Sequence, residues 1–133
     1  MTAQVEKVPT IEFVSPMPGF PEHRSFVLVR LDDDGILYAL TSVSDPGLRF
    51  LVVPPPPFFP DYAPEISQET LDTLGVSAAE QVLMLLVVTA GESASASTAN
   101  LLAPILIHHE SRQAVQVVLN GSGLPVRAEL MAA

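Results

Sequence analysis

Three histidines, His23, His108 and His109, are the side chains of this 133-residue sequence most suited to acid–base or metal chemistry. Two of them stand in "HHE", which ends at Glu110. Adjacent strand residues point to opposite faces, so His108 and His109 cannot both reach one ion without a bend. The triplet reads instead as polar side chains at a strand end. The residue types of a serine hydrolase are present, yet no G-x-S-x-G stretch marks a strained elbow, and "GSG" at Gly121 to Gly123 reads as a turn. Neither G-x-x-x-x-G-K-[ST] nor G-x-G-x-x-G occurs, which removes the common phosphate-cradling loops. Lys7 is the sole lysine, an unpromising Schiff-base candidate, and the absence of cysteine removes thiolate chemistry and disulfides. Asp32, Asp33 and Asp34 lack the spacing and terminal glutamate of an EF-hand, so they read as a solvated turn tip. The expectation is a protein without enzymatic activity, cofactor or metal.

A different chemistry is offered by "VVPPPPFFPDY", Val52 to Tyr62. Proline has no backbone N–H and cannot pair inside a sheet, so Pro54 to Pro57 must leave a strand or sit at its rim. Val53, Phe59 and Ala63 each precede a proline and are biased toward extended backbone, which makes the segment stiff. Its aromatic side chains bury large areas and are the types enriched at interface hot spots. Two readings stay open: a packed structural corner, or a preformed apolar ledge for a protein partner. In the second, Phe58, Phe59 and Tyr62 are the anchors and Asp61 their polar neighbour.

The elements that must hold this segment are mainly strands. Apolar residues alternate in "TIEFVS"; "FVLVRL" and "ILYALTSV" flank the turn residues Asp32 to Gly35 and predict a hairpin. Ser44 to Gly47 supply a second turn, after which "LRFLVV" continues a meander. Ser67 is placed to cap a short helix, "QETLDTL", with Ile66, Leu71 and Leu74 as its apolar side and Gly75 as its left-handed stop. Ser77 and Glu80 form a capping-box pattern that predicts a further helical turn. "VLMLLVV", Val82 to Val88, is preferred as a buried strand, with helix as the alternative. Residues 91–99, "GESASASTA", predict a flexible loop. "NLLAPILIHH" and "AVQVVL" then predict a second hairpin, with Asn120 to Gly123 as another turn and Asn100 fixing the backbone entering its strand. The expected architecture is mostly β: one small domain over residues 1–133, a closed or pseudo-barrel sheet with one short inserted helix.

Charge narrows the partners. Six basic against 15 acidic side chains leave a formal net charge of -9. Nucleic-acid binding draws on clustered cations that neutralise phosphates, so it is not expected, and a basic or neutral partner is favoured. No run approaches the roughly 20 apolar residues of a membrane-spanning helix. "MTAQVEKVPTIEF" lacks the pattern of a secretory signal, so the cytoplasm is the expected compartment.

"SDPGLRFLVVPPPPFFPDYAPEIS", then "NLLAPILIHHESRQAVQVVL" and the closing "LPVRAEL" resemble the FliW family of flagellar assembly factors. The resemblance runs from about "PGFPEHRSFVLVRL" onward and rests on F-x-P-D-Y, N-L-x-A-P-I and a terminal x-P-x-R in that order. The four-proline run is richer than the family's usual pattern, Leu124 stands where tyrosine is common, and His108 where asparagine is common; these departures bear on partner preference rather than fold. The resemblance implies a small β-rich pseudo-barrel that binds flagellin in the cytoplasm. It also implies antagonism of the translational regulator CsrA by partner switching: flagellin occupies the factor while abundant, and CsrA is captured once flagellin is secreted. An alternative is a flagellin chaperone without CsrA binding.

Overall fold

Strand β1, Thr10–Phe13, turns Ile11 and Phe13 inward and Thr10 and Glu12 outward, the period-two pattern that one buried face requires. It pairs antiparallel with β2, Ser25–Arg30. The meander continues through β3, Tyr38–Ser42, and β4, Arg49–Val53, each antiparallel to its predecessor. The β2–β3 turn is closed by Asp32, whose carboxylate accepts from the amides of Ile36 and Leu37. At the next turn the Asp45 carboxylate accepts from the Gly47 amide at 3.1 Å. The computed structural model describes residues 10–17, 19–34, 36–77, 81–92 and 96–130.

After the proline segment comes helix α1, Gln68–Leu74, bounded as its sequence dictates. The Ser67 hydroxyl accepts from the Thr70 amide at 3.2 Å. Gly75 adopts φ 74°, and the Val76 amide reaches back to the Leu71 carbonyl at 3.0 Å, a left-handed cap that costs glycine little. Glu80 of the expected capping box lies outside the described residues; Ser77 instead gives its amide and hydroxyl to the Gln81 side-chain oxygen.

Val82 to Val88 belongs to strand β5, Val82–Thr89. Leu83, Leu85 and Val87 join one apolar cluster while Val82, Met84, Leu86 and Val88 join others on the opposite side. A strand covered on both faces has no reason to alternate, which explains the unbroken apolar run. Two-residue strands β6, Thr98–Ala99, and β9, Ala128–Glu129, are added at its end. Strands β7, Ile105–His108, and β8, Gln113–Gln116, form the second hairpin.

The strand order β4-β3-β2-β1-β8-β7-β5, with β5 also paired to β4, closes a seven-stranded barrel. Among the described residues every pairing is antiparallel except β1 with β8, where Glu12 and Phe13 lie beside Gln113 and Ala114. The interior is filled by Phe13, Phe26, Leu40, Val52, Leu85 and Ile105, all buried, with Phe13 and Phe26 edge-to-face at 5.3 Å. Two further clusters coat the outside: Leu74, Val76 and Leu106 beneath α1, and Val53, Leu86, Ala99 and Leu101 beneath the proline segment.

Two sequence expectations need correction. Thr98 and Ala99, placed in the loop 91–99, are a strand, because Ala99 and Thr98 find partners in β5 and β9 that no local signal announces. The strand expected from Asn100 begins only at Ile105, since the Asn100 side chain folds Leu102 and Ala103 into a turn and Pro104 has no amide to donate. His108 ends β7 and His109 begins the turn, as expected of strand-end polar groups; His108 shares the face of Leu106 and is only 8% exposed, while His109 is open to solvent.

Candidate functional site

Val53 pairs with Leu86 and ends β4, because Pro54 and its successors cannot extend the ladder. The chain instead turns tightly: the Pro55 carbonyl accepts from both the Phe58 and Phe59 amides, at 2.9 and 2.7 Å, and the Phe59 carbonyl from the Tyr62 amide at 3.0 Å. Pro55 is buried beneath this double turn.

Phe58, Phe59 and Tyr62 are each half-buried and pack on Val53, Leu86, Ala99 and Leu101. Asp61, between them in the chain, is exposed. The Tyr62 phenol donates to the Leu101 carbonyl at 2.7 Å, and its burial pushes its pKa up to about 12. The structural-corner reading therefore holds for one side of each ring, since burying even half an aromatic side chain contributes on the order of 1 kcal/mol.

The other sides line four concavities, one of which Tyr62 shares with Pro54, Leu83 and His109. Phe58 faces an apolar groove of about 340 Å³ walled by Leu37, Leu51, Val53, Val88 and Leu130, with Asp32 at its rim. Phe59 and Tyr62 share with Pro60, Asp61 and Leu124 a shallow cleft of about 350 Å³. Tyr62 and Asp61 continue into a third, of about 430 Å³, whose walls include Glu65, Leu119, Asn120 and Leu124. The four expected site residues thus lie together, three as half-buried rings on one apolar cluster and Asp61 as the exposed acid beside them. None offers a nucleophile or base aligned on a reacting atom; what the arrangement can do is bury apolar side chains of a ligand and meet a positive charge at the rim.

A family model described as "FliW protein" matches residues 1–130. The chain belongs to the FliW family. It is 38% identical over 112 residues to the flagellar assembly factor FliW of Bacillus subtilis (strain 168), covering 84% of this chain and 78% of that one. To the flagellar assembly factor FliW of Bacillus licheniformis it is 35% identical over 119 residues, 90% of this chain and 83% of that one. A crystal structure described as that of the flagellar assembly factor FliW superposes with a TM-score of 0.89 at 27% identity, covering 98% of this chain and 92% of that chain. The mostly β, closed-barrel fold expected from the sequence is therefore the FliW fold, and the chain is a flagellar assembly factor by family.

In this FliW-family chain, sequence reasoning did not name Leu37, Leu124 and Leu130 as neighbours of the aromatic ledge, although all three pack on the same cluster. Leu37 arrives from the β2–β3 turn and Leu130 from just beyond β9, which pairs with β6, contacts between distant parts of the chain with no local signature.

Proposed function

We propose that this chain works as one domain, without covalent chemistry, as a flagellar assembly factor that binds flagellin in the cytoplasm and antagonises CsrA by partner switching. Family membership supports the flagellar role. The observation that carries the surface assignment is the ledge of Phe58, Phe59 and Tyr62, held rigid by the Pro55 turn and open to clefts on its flanks. Stiff aromatic side chains lose little entropy on docking and so contribute more of their burial to affinity. Asp61 and Glu65 beside them, in a chain of net charge -9, favour a basic partner and disfavour direct contact with nucleic acid. Mutually antagonistic binding is all that the switch needs, because two ligands with negative coupling lower each other's affinity by the same factor.

The test is a competition titration with purified flagellin and CsrA. Each is expected to bind alone and to weaken the other. Phe59→Ala, if it keeps the native fold, is expected to lose about tenfold or more in affinity for at least one of them. Unchanged binding of both by folded Phe59→Ala returns the ledge to a purely structural role, and flagellin binding with no CsrA binding leaves the chaperone reading. Failure to bind either partner removes the proposal.

A further inference from the structure

One end of the barrel opens into a cavity of about 250 Å³ whose apolar walls are Ile11, Leu28, Leu83 and Ile107; Leu83 and His109 also border a separate concavity that reaches Tyr62. All four belong to the interior cluster, and Ile11 and Ile107 are only 3% and 4% exposed, so the cavity is a mouth leading onto the core. The two remaining lining residues are His109 and Arg112, both from the β7–β8 turn. In a chain with six basic and 15 acidic side chains, an arginine with no acid among the described lining residues makes a local reversal of sign.

Arg112 is held there at a conformational cost. Its φ is 64°, the left-handed region that L side chains rarely enter and that glycine enters freely. Its amide donates to His108 and its carbonyl accepts from Glu12, each at 2.9 Å, so the backbone is clamped between β7 and β1. The side chain is fixed as well, its Nε donating to the His109 carbonyl at 3.3 Å and leaving the terminal guanidinium nitrogens as donors. Glycine would satisfy the turn with less strain, and a non-glycine residue held in such a conformation points to a role for its side chain.

We infer that the barrel mouth bordered by His109 and Arg112 binds a small aliphatic carboxylate, its tail against Ile11, Leu28, Leu83 and Ile107 and its carboxylate on the Arg112 guanidinium. At roughly 30 Å³ per water-sized group the cavity holds about eight non-hydrogen atoms, the size of a medium-chain fatty acid with its head group outside. Arginine meets a carboxylate with two parallel N–H donors, and the His109 imidazole adds a third donor at the rim. This site does not depend on the partner-binding reading.

Sodium octanoate titrated into the full chain, followed by methyl NMR, tests it. Saturable shifts are expected at the methyls of Ile11, Leu28, Leu83 and Ile107, with millimolar or tighter affinity for a ligand of about ten non-hydrogen atoms. Arg112→Gln is expected to weaken binding about tenfold or more, the loss of one charge-assisted pair, while Arg112→Lys recovers part of it and Arg127→Gln leaves it unchanged. Octanol is expected to bind about tenfold or more weaker than octanoate for the same reason. Equal affinity for octanol and octanoate, equal affinity in a folded Arg112→Gln protein, or shifts that never saturate would each overturn the inference.

Discussion

The Tyr62 phenol sits 2.7 Å from the carbonyl of Leu101 and donates to it, tying the end of the proline segment to the turn that follows β6. Tyr62→Phe keeps the ring on its cluster and removes only this bond. The carbonyl is then under-satisfied in a half-buried site, so a loss of about 1 kcal/mol is expected, read as a lower urea midpoint at unchanged slope. No change in midpoint would show that water replaces the phenol there.

The same phenol gives a pH dependence with a definite sign. Burial raises its pKa to about 12 in the folded chain, against about 10 when unfolded. Between those values the unfolded chain has released its proton and the folded chain has kept it, so stability falls as pH rises. The contribution is fully present below about pH 10 and gone above about pH 12. Midpoints compared at about pH 9 and about pH 11.5 are expected to fall further in the native chain than in Tyr62→Phe. Parallel falls in the two proteins would count against the burial of the phenol.

Asn100 earns its position through its side chain. Its Oδ1 accepts from the Leu102 amide at 2.9 Å and the Ala103 amide at 3.1 Å, shaping the turn that delivers Pro104 and Ile105 to β7. Asn100→Ala is expected to cost roughly 1–2 kcal/mol, and Asn100→Asp to cost less because it keeps the acceptor. Thermal unfolding of the two variants distinguishes an acceptor role from simple packing.

His108 carries the opposite expectation. Its Nδ1 is 2.9 Å from the Ser111 hydroxyl, but Nε2 is buried with no hydrogen-bond partner among the described residues. A buried polar atom left unpaired costs free energy that an apolar side chain of similar size avoids, and its face of β7 already carries Leu106. His108→Leu is expected to stabilise the chain by about 1 kcal/mol. Destabilisation in chemical denaturation would mean that the imidazole has a partner, such as an enclosed water.

Inside the barrel, Phe26 is fully buried and stacks edge-on to Phe13 and obliquely to Phe50, with centroids 5.3 and 6.2 Å away. Phe26→Ala is expected to cost about 3–5 kcal/mol. A loss below about 1 kcal/mol would mean that neighbouring side chains collapse into the space.

The meander and α1 were legible because their signals are local: turn residues at Asp32 and Asp45, the serine cap at Ser67, the glycine stop at Gly75. The same locality brought Phe58, Phe59, Asp61 and Tyr62 forward as a group. Tertiary facts were hidden. Nothing near Thr98 tells that it meets Glu129, and nothing near His108 tells that its face of the strand is covered. The side chain of Arg112 has no local signal for a related reason, since one of the two bonds that clamp its left-handed backbone comes from Glu12 in β1, far away in the sequence.

The seam between β1 and β8 unites the first and the last strand of the barrel side by side in the same direction. During synthesis the four strands of the meander leave the ribosome long before β8 exists, so the nascent sheet waits with the free edge of β1 exposed. Closure is therefore the late, slow event of maturation, as pairings distant along a chain generally are. A growing chain in that state is open to pairing with other edges, which makes the interval before β8 emerges the one in which this protein most needs protection from aggregation.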